Sequence, residues 1–196
     1  MVENRAWSVF LIFHLFYVNS ILIFFFQCFQ LWNDMCGKGT GEFSGGAEQV
    51  PPDIITLTSV VASFDRIDES DNAEKVDSVF ADAVERQIIF ADTMDTKWEI
   101  DLSGMSLPVA RAACRFILSQ IRDTKDTENY QDLNLITGVG RHHQEPSAKV
   151  VTTALREYVQ QILLEDFSPP LKSEIPERTP GVILVKRDSI ERWEGA

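Results

Sequence analysis

Hydrophobic positions change their period along the chain, and each change marks an element. From Ala6 to Trp32 there is no charged side chain, and Phe, Leu, Ile and Trp crowd the run. A helix of that length, at ~1.5 Å per residue, is long enough to cross a bilayer. Gly37 to Pro52 is rich in glycine, ends in a proline pair and predicts a flexible linker. Pro52-Asp53 then opens a helical pattern with Ile55, Val60, Val61 and Phe64 apolar. After a polar break from Asp65 to Asn72, a second helix from about Ala73 carries Val76, Val79, Phe80, Ala83 and Val84 at three-and-four spacing. Such a helical hairpin cannot bury its faces alone and is typically one unit of a stacked array.

From Trp98 the texture changes. Trp98, Ile100 and Leu102 alternate as a short strand, and Pro108 suits the first turn of a helix with Ser106 as its N-cap. Val109, Ala112, Ala113, Phe116, Ile117 and Ile121 form the apolar stripe of that helix. Leu133 to Thr137 predicts a second strand, and a helix follows from about Ala148 with Val151, Leu155, Val159 and Ile162 inward. Asp166 to Pro180 is proline-rich and reads as irregular chain or an edge strand. Val182-Ile183-Leu184-Val185 reads as a buried strand from its unbroken apolar run. The order β-α-β-α-(β)-β defines the α/β class, a two-layer sandwich preceded by one helical hairpin and an N-terminal apolar helix. Four segments result: 1–35 apolar, 36–52 linker, 53–92 helical hairpin, and 96–196 the α/β domain.

The apolar segment has two competing readings. One is a signal anchor or single transmembrane helix, with Trp7 and Trp32 at its interfaces, which would make this a single-pass membrane protein. The other is a gene-model artefact: Ile21 to Gln27 is what a pyrimidine-rich tract ending in CAG would encode, as at the 3′ end of an intron. Without the anchor, the expected location is an organelle (chloroplast or mitochondrion) or another intracellular site. A cleaved signal peptide fits less well, because the stretch is long and no small-x-small site follows it.

Charge is unevenly spread. The net charge is -12, and residues 41–96 hold 13 acids against 3 bases whereas residues 97–196 hold 15 against 13. Bulk charge therefore gives no support to a polyanion partner. Local basic patches remain open, from Arg111, Arg115 and Arg122, or from Arg141, Lys149, Lys186, Arg187 and Arg192; the bland reading of either is a solvated face. Cys28, Cys36 and Cys114 have no CxxC spacing, so neither a zinc site nor a disulfide framework is implied, and a reducing compartment is the default.

The candidate chemistry lies in two loops. Asp101-Leu102-Ser103-Gly104 and Thr137-Gly138-Val139-Gly140-Arg141-His142-His143 each end an apolar run and precede a helix. Strand–loop–helix segments of this kind place loop groups at the carboxyl end of a sheet and aim helix N-termini at a ligand. Gly138 and Gly140 let backbone amides approach a phosphate, Arg141 adds charge, and His142 titrates near neutrality. Asp101 can serve as general base, orient a histidine or hold a divalent metal. The plainer alternatives are that Asp101 caps a helix or pairs with an arginine, and that the glycine loop is only a tight turn. His14, within the apolar stretch, reads as incidental.

Two family resemblances rest on these residues. Asp53 to Val61 with Ala73 to Val76 resembles a single degenerate pentatricopeptide repeat, with Leu57 and Thr58 where that family keeps an aromatic and Asn; the resemblance makes Ser59 the base-reading position. Residues from about Trp98 to Trp193 resemble the small MutS-related (Smr) domain, whose signatures are Leu-Asp-x-His-Gly and Thr-Gly-x-Gly-x-His. Here they read Ile100-Asp101-Leu102-Ser103-Gly104 and Thr137-Gly138-Val139-Gly140-Arg141-His142, and Gly181 to Val185 fits the closing strand. The resemblance implies nucleic-acid binding, RNA favoured over DNA, with endonuclease cleavage in some members. It makes Asp101 and His142 catalytic candidates and Thr137, Gly138, Gly140, Arg141 and His143 nucleic-acid-binding candidates. Ser103 occupies the family's histidine slot and cannot exchange protons near neutral pH, so one acid–base partner is missing. His143, beside His142, is a candidate to compensate. Binding needs no cofactor; a divalent metal, with Asp101 as ligand, is possible for cleavage. The expectation is a nucleic-acid-binding protein with weakened or absent endonuclease activity. The alternatives are an active endonuclease using Asp101 and His142, and a membrane-tethered interaction module.

Overall fold

A computed structural model describes residues 27–38, 51–65, 70–90, 98–123, 130–138 and 146–194. Residues 27–35 are helical (α1), followed by α2 (Ile54–Asp65), α3 (Ser70–Glu85), β1 (Glu99–Asp101), α4 (Leu107–Asp123), β2 (Leu133–Ile136), α5 (Pro146–Glu165), β3 (Ser173–Glu174), β4 (Val182–Val185) and α6 (Arg187–Glu194). Two compact units emerge, Met1–Lys75 and Val76–Ala196. The division falls inside α3 rather than after residue 92, so most of the second helix of the expected hairpin belongs with the α/β unit. Side chains explain this: Phe80 of α3 packs against Phe116 of α4 with ring centroids 5.6 Å apart, and Asp77 accepts two hydrogen bonds from Arg115.

In the first unit α2 is started by Asp53. Its Oδ1 accepts from the Thr56 backbone N–H and from the Thr56 hydroxyl, both at 2.8 Å, while its carbonyl accepts from Leu57 N–H. Those Thr56 bonds, the backbone one foremost, hold the Asp53 carboxyl below its ordinary value of 3.8. Leu57, Val60, Val61 and Phe64 are buried. Trp32, read from sequence as a membrane-interface residue, is only 1% exposed, and Phe29 meets Phe64 edge-on at 6.1 Å. The end of the apolar segment is thus used as protein core. No helix among the described residues is long and apolar enough to cross a membrane, and residues 1–26 lie outside the described residues.

The C-terminal end of α3 closes in a Schellman arrangement. Ile88 N–H reaches the Ala83 carbonyl and Gln87 N–H the Val84 carbonyl, both at 2.9 Å. The residue at the turn, Gln87, has φ 60°, a left-handed conformation where glycine is the usual occupant. Gln87→Gly is expected to stabilise the protein by about 0.5–1 kcal/mol, read as a higher denaturant midpoint at unchanged slope. An unchanged or lower midpoint would refute the strain.

The sheet of the second unit has strand order β1-β2-β4-β3. β1 and β2 run parallel, with Ile100 opposite Leu135, and β4 runs antiparallel to both β2 and β3. A parallel neighbour pair needs a crossover, which α4 supplies. Ile100, Leu133, Leu135, Ile183 and Val185 are buried, while Asn134, Ile136, Val182 and Leu184 between them are half-buried. The unbroken apolar run of β4 therefore does not signal burial on both faces. One face of the sheet carries the core, together with Val109, Ala113, Ile117 and Ile121 of α4 and Leu155, Val159 and Ile162 of α5. Arg111 of α4 clamps Asp166, just past α5, through two hydrogen bonds of 2.6 and 2.8 Å.

The expected edge strand is the two-residue β3, and α6 is an element the sequence reading missed. Ile190 is its buried anchor, Trp193 meets Phe167 edge-on, and the buried Ser189 hydroxyl accepts from Lys172 N–H. Only two apolar residues, three apart, punctuate its charged run, so its periodicity is faint. Cys114 lies wholly inside the unit, and burial pushes its thiol from 9.0 to about 12, with Asp166 adding to the rise. Because the folded value lies above the unfolded one, the contribution of Cys114 to stability is complete below about pH 9 and is lost as pH rises towards 12. Cys114 is expected to resist thiol reagents in the native protein at pH 8 and to react only on unfolding. Labelling of Cys114 at the same rate in native and denatured protein would contradict this.

Candidate nucleic-acid interface

The parallel register makes the two loops neighbours. Asp101, the last residue of β1, lies opposite Ile136, the last of β2, and Leu102 N–H extends the ladder to the Ile136 carbonyl at 2.8 Å. Both segments therefore leave the sheet at the same end and side by side. Contact between them is intimate: a Cβ added to Gly138 would lie 2.7 Å from the Ser103 Cβ. Gly138 also has φ +76°, in the left-handed region, so both sterics and backbone demand glycine there.

The first loop is organised by Asp101. Its Oδ1 accepts from Ser103 N–H at 2.8 Å, which bends the chain as soon as the strand ends. Met105 N–H then closes a turn onto the Leu102 carbonyl at 3.1 Å, with Gly104 at φ +78° in the position that needs it. Leu102 is fully buried beneath, whereas Asp101 and Ser103 are exposed. Among the described residues Asp101 neither caps α4 nor pairs with an arginine; it holds the turn. The Ser103 hydroxyl is presented alongside.

Ser106 departs from its expected role. Its carbonyl accepts from Ala110 N–H at 2.9 Å, which places it at the helix start, but its Oγ is buried without a hydrogen-bond partner and does not cap. Pro108 sits in the first turn of α4, as its fixed φ and missing N–H favour.

Thr137 also differs from a ligand-facing group. It is 0% exposed, its N–H donates to the Gly181 carbonyl at 2.8 Å, and its hydroxyl donates to the same oxygen at 3.2 Å. This double attachment ties the end of β2 to the start of β4. Gly140, Arg141, His142 and His143 lie outside the described residues, as does His14. Ser59 is exposed on α2, and its hydroxyl donates to the Ile55 carbonyl at 2.9 Å.

The basic candidates sort by what they touch. Arg111 and Arg115 are committed to Asp166 and Asp77, and Arg122 lies over the Trp193 ring at 5.6 Å. Lys186 reaches Glu174 at 2.8 Å and Asp132 at 3.6 Å, and the Glu174 hydrogen bond is the main reason its pKa is raised. Arg187 pairs with Glu191, and Arg192 donates to the Asp188 carbonyl. Because Val185 pairs with Leu133, residues 186 and 187 sit at the opposite end of the sheet from Gly138. Of the second open set of basic residues, Lys186 and Arg187 are therefore both paired with carboxylates and remote from Gly138. Among the described residues no group of three or more His, Cys, Asp or Glu side chains is placed to hold a metal ion.

Compared with known proteins, the chain matches no family model, no curated protein and no solved structure.

Proposed function

We propose that this chain binds nucleic acid, RNA in preference to DNA, through an Smr-like two-layer α/β domain whose endonuclease activity is weakened or absent. The observation that carries this reading is the packing of Gly138 against Ser103 at the carboxyl ends of two parallel strands. The missing Cβ at Gly138 lets the two loops close on each other, which brings the exposed Ser103 hydroxyl, a phosphate hydrogen-bond donor, beside the start of the glycine loop. One-sided burial of the strands is what a single layer of helices on the sheet produces, which supports the two-layer arrangement. Weak cleavage follows from chemistry: a serine hydroxyl bonds a phosphate but cannot take or give a proton near pH 7. The preference for RNA rests on the resemblance of residues 53–76 to a pentatricopeptide repeat, with Ser59 as its base-reading position.

The test is fluorescence-anisotropy titration of the full chain with single-stranded RNA and DNA oligonucleotides at low and moderate salt, with cleavage products followed on gels. Salt-sensitive binding, tighter for RNA, with little or no product is expected. No binding to either at low salt would overturn the proposal, and rapid wild-type cleavage abolished by Asp101→Ala would replace its inactive half by an active endonuclease.

A further inference from the structure

The surroundings of Arg156 differ from those of most arginines of this unit; like Arg192 of α6, it bonds a backbone carbonyl. Arg86, Arg111, Arg115, Arg122 and Arg187 each lie within ion-pair distance of a carboxylate. Arg156 has no acid at its helical neighbour positions, which are Thr152, Thr153, Val159 and Gln160. Among the described residues it bonds through Nη1 to the Pro180 carbonyl, at 3.0 Å, and its Nε is buried with no hydrogen-bond partner. The guanidinium is thus held in place by a neutral acceptor, and no carboxylate among the described residues lies within ion-pair distance of it.

Its anchor lies next to the loop site. Pro180 precedes Gly181, whose carbonyl takes both bonds from Thr137, and Thr137 precedes Gly138, which packs on Ser103. Ser103, Gly138 and Pro180 therefore follow one another across the same end of the sheet, in the order β1, β2, β4. We infer that Arg156 is a phosphate-binding residue of this surface, extending it from the loop pair across β4 so that a single strand lies along the strand ends. The inference rests on the nucleic-acid-binding reading. A guanidinium fixed through one nitrogen keeps other N–H groups for a phosphate oxygen, and an unpaired arginine that already costs desolvation gains more from an anion than a paired one does.

The experiment compares wild type, Arg156→Gln, Arg156→Lys and Arg178→Gln as full chains, titrating a single-stranded RNA oligonucleotide over a range of salt. Arg178 is an exposed cation just before the same strand and serves as the control. Arg156→Gln should weaken binding roughly tenfold and reduce the slope of log K against log salt by about 0.7, the value of one phosphate contact on a single strand. Arg156→Lys should keep the slope and lose part of the affinity, and Arg178→Gln should change neither. A merely structural role for Arg156 would lower thermal stability without changing the slope. Wild-type binding with an unchanged slope in Arg156→Gln overturns this inference alone, whereas absence of wild-type binding overturns it together with the reading it rests on.

Discussion

Gly138→Ala is expected to destabilise the α/β unit by about 3 kcal/mol and to abolish measurable nucleic-acid binding at moderate salt. Two separable terms add. Holding an L-residue at φ +76° costs roughly 1 kcal/mol, and a methyl group 2.7 Å from the Ser103 Cβ must push the loops apart at about 2 kcal/mol more. The neighbour is a Cβ fixed to backbone, not the end of a flexible side chain, so relief is not available locally. Thermal denaturation should show a fall of roughly 10 °C in midpoint. The decisive measurement is a double-mutant cycle with Ser103→Gly, which removes the clashing atom. In that background Gly138→Ala should cost only the backbone term, leaving a coupling of about 2 kcal/mol. Equal costs in the two backgrounds would mean the loops do not touch, and the convergent site would fall with that result.

The second large effect is chemical. Ser103→His is expected to raise the rate of phosphodiester cleavage by roughly 10²- to 10⁴-fold over wild type, the range supplied by one positioned proton-transfer group. Residue 103 is the right place for it. Its backbone N–H is already bound to Asp101 Oδ1, so the carboxylate stands beside the new imidazole and can orient it. Gly138 tolerates the exchange, because serine and histidine share the same Cβ. Activity gained this way should titrate with an imidazole pKa raised above its free value by the Asp101 carboxylate, and should disappear in Ser103→His with Asp101→Ala, while binding persists. If Ser103→His binds RNA as wild type does but gains no activity, the missing histidine is not what limits cleavage.

Much of the fold was legible because its signals are local. The alternation through Ile100 and Leu102, the stripe of α4 and the proline in its first turn each identify an element without reference to any other. The turn at Gly138 was legible for the same reason, since a glycine after an apolar run marks one on sight. What escaped were features whose meaning depends on a distant partner. Trp32 looks like a membrane-interface residue by its neighbours in sequence, and becomes core where Phe29 reaches Phe64. The helix α3 reads as half of a repeat-like hairpin whose outer face awaits a partner, and Phe80 and Asp77 find that partner in α4. Helix α6 has too few apolar positions to declare itself, and is held by Ile190 and by Ser189 acting on Lys172.

The candidate site divides along the same line. By itself the sequence determined which side chains and glycines the two loops carry, and that residue 103 is a serine, which cannot exchange protons near neutral pH. Only the tertiary structure decided which of them can face a ligand. Strand pairing brings Asp101 and Ser103 beside Gly138, turns Thr137 inward to Gly181, and sends Lys186 and Arg187 to the far end of the sheet among carboxylates. It also brings Arg156 of α5 to Pro180, at the loop end. The physical reason is that residue chemistry is a local property, whereas exposure, pairing and proximity arise when hydrogen-bond registers join segments far apart in the chain.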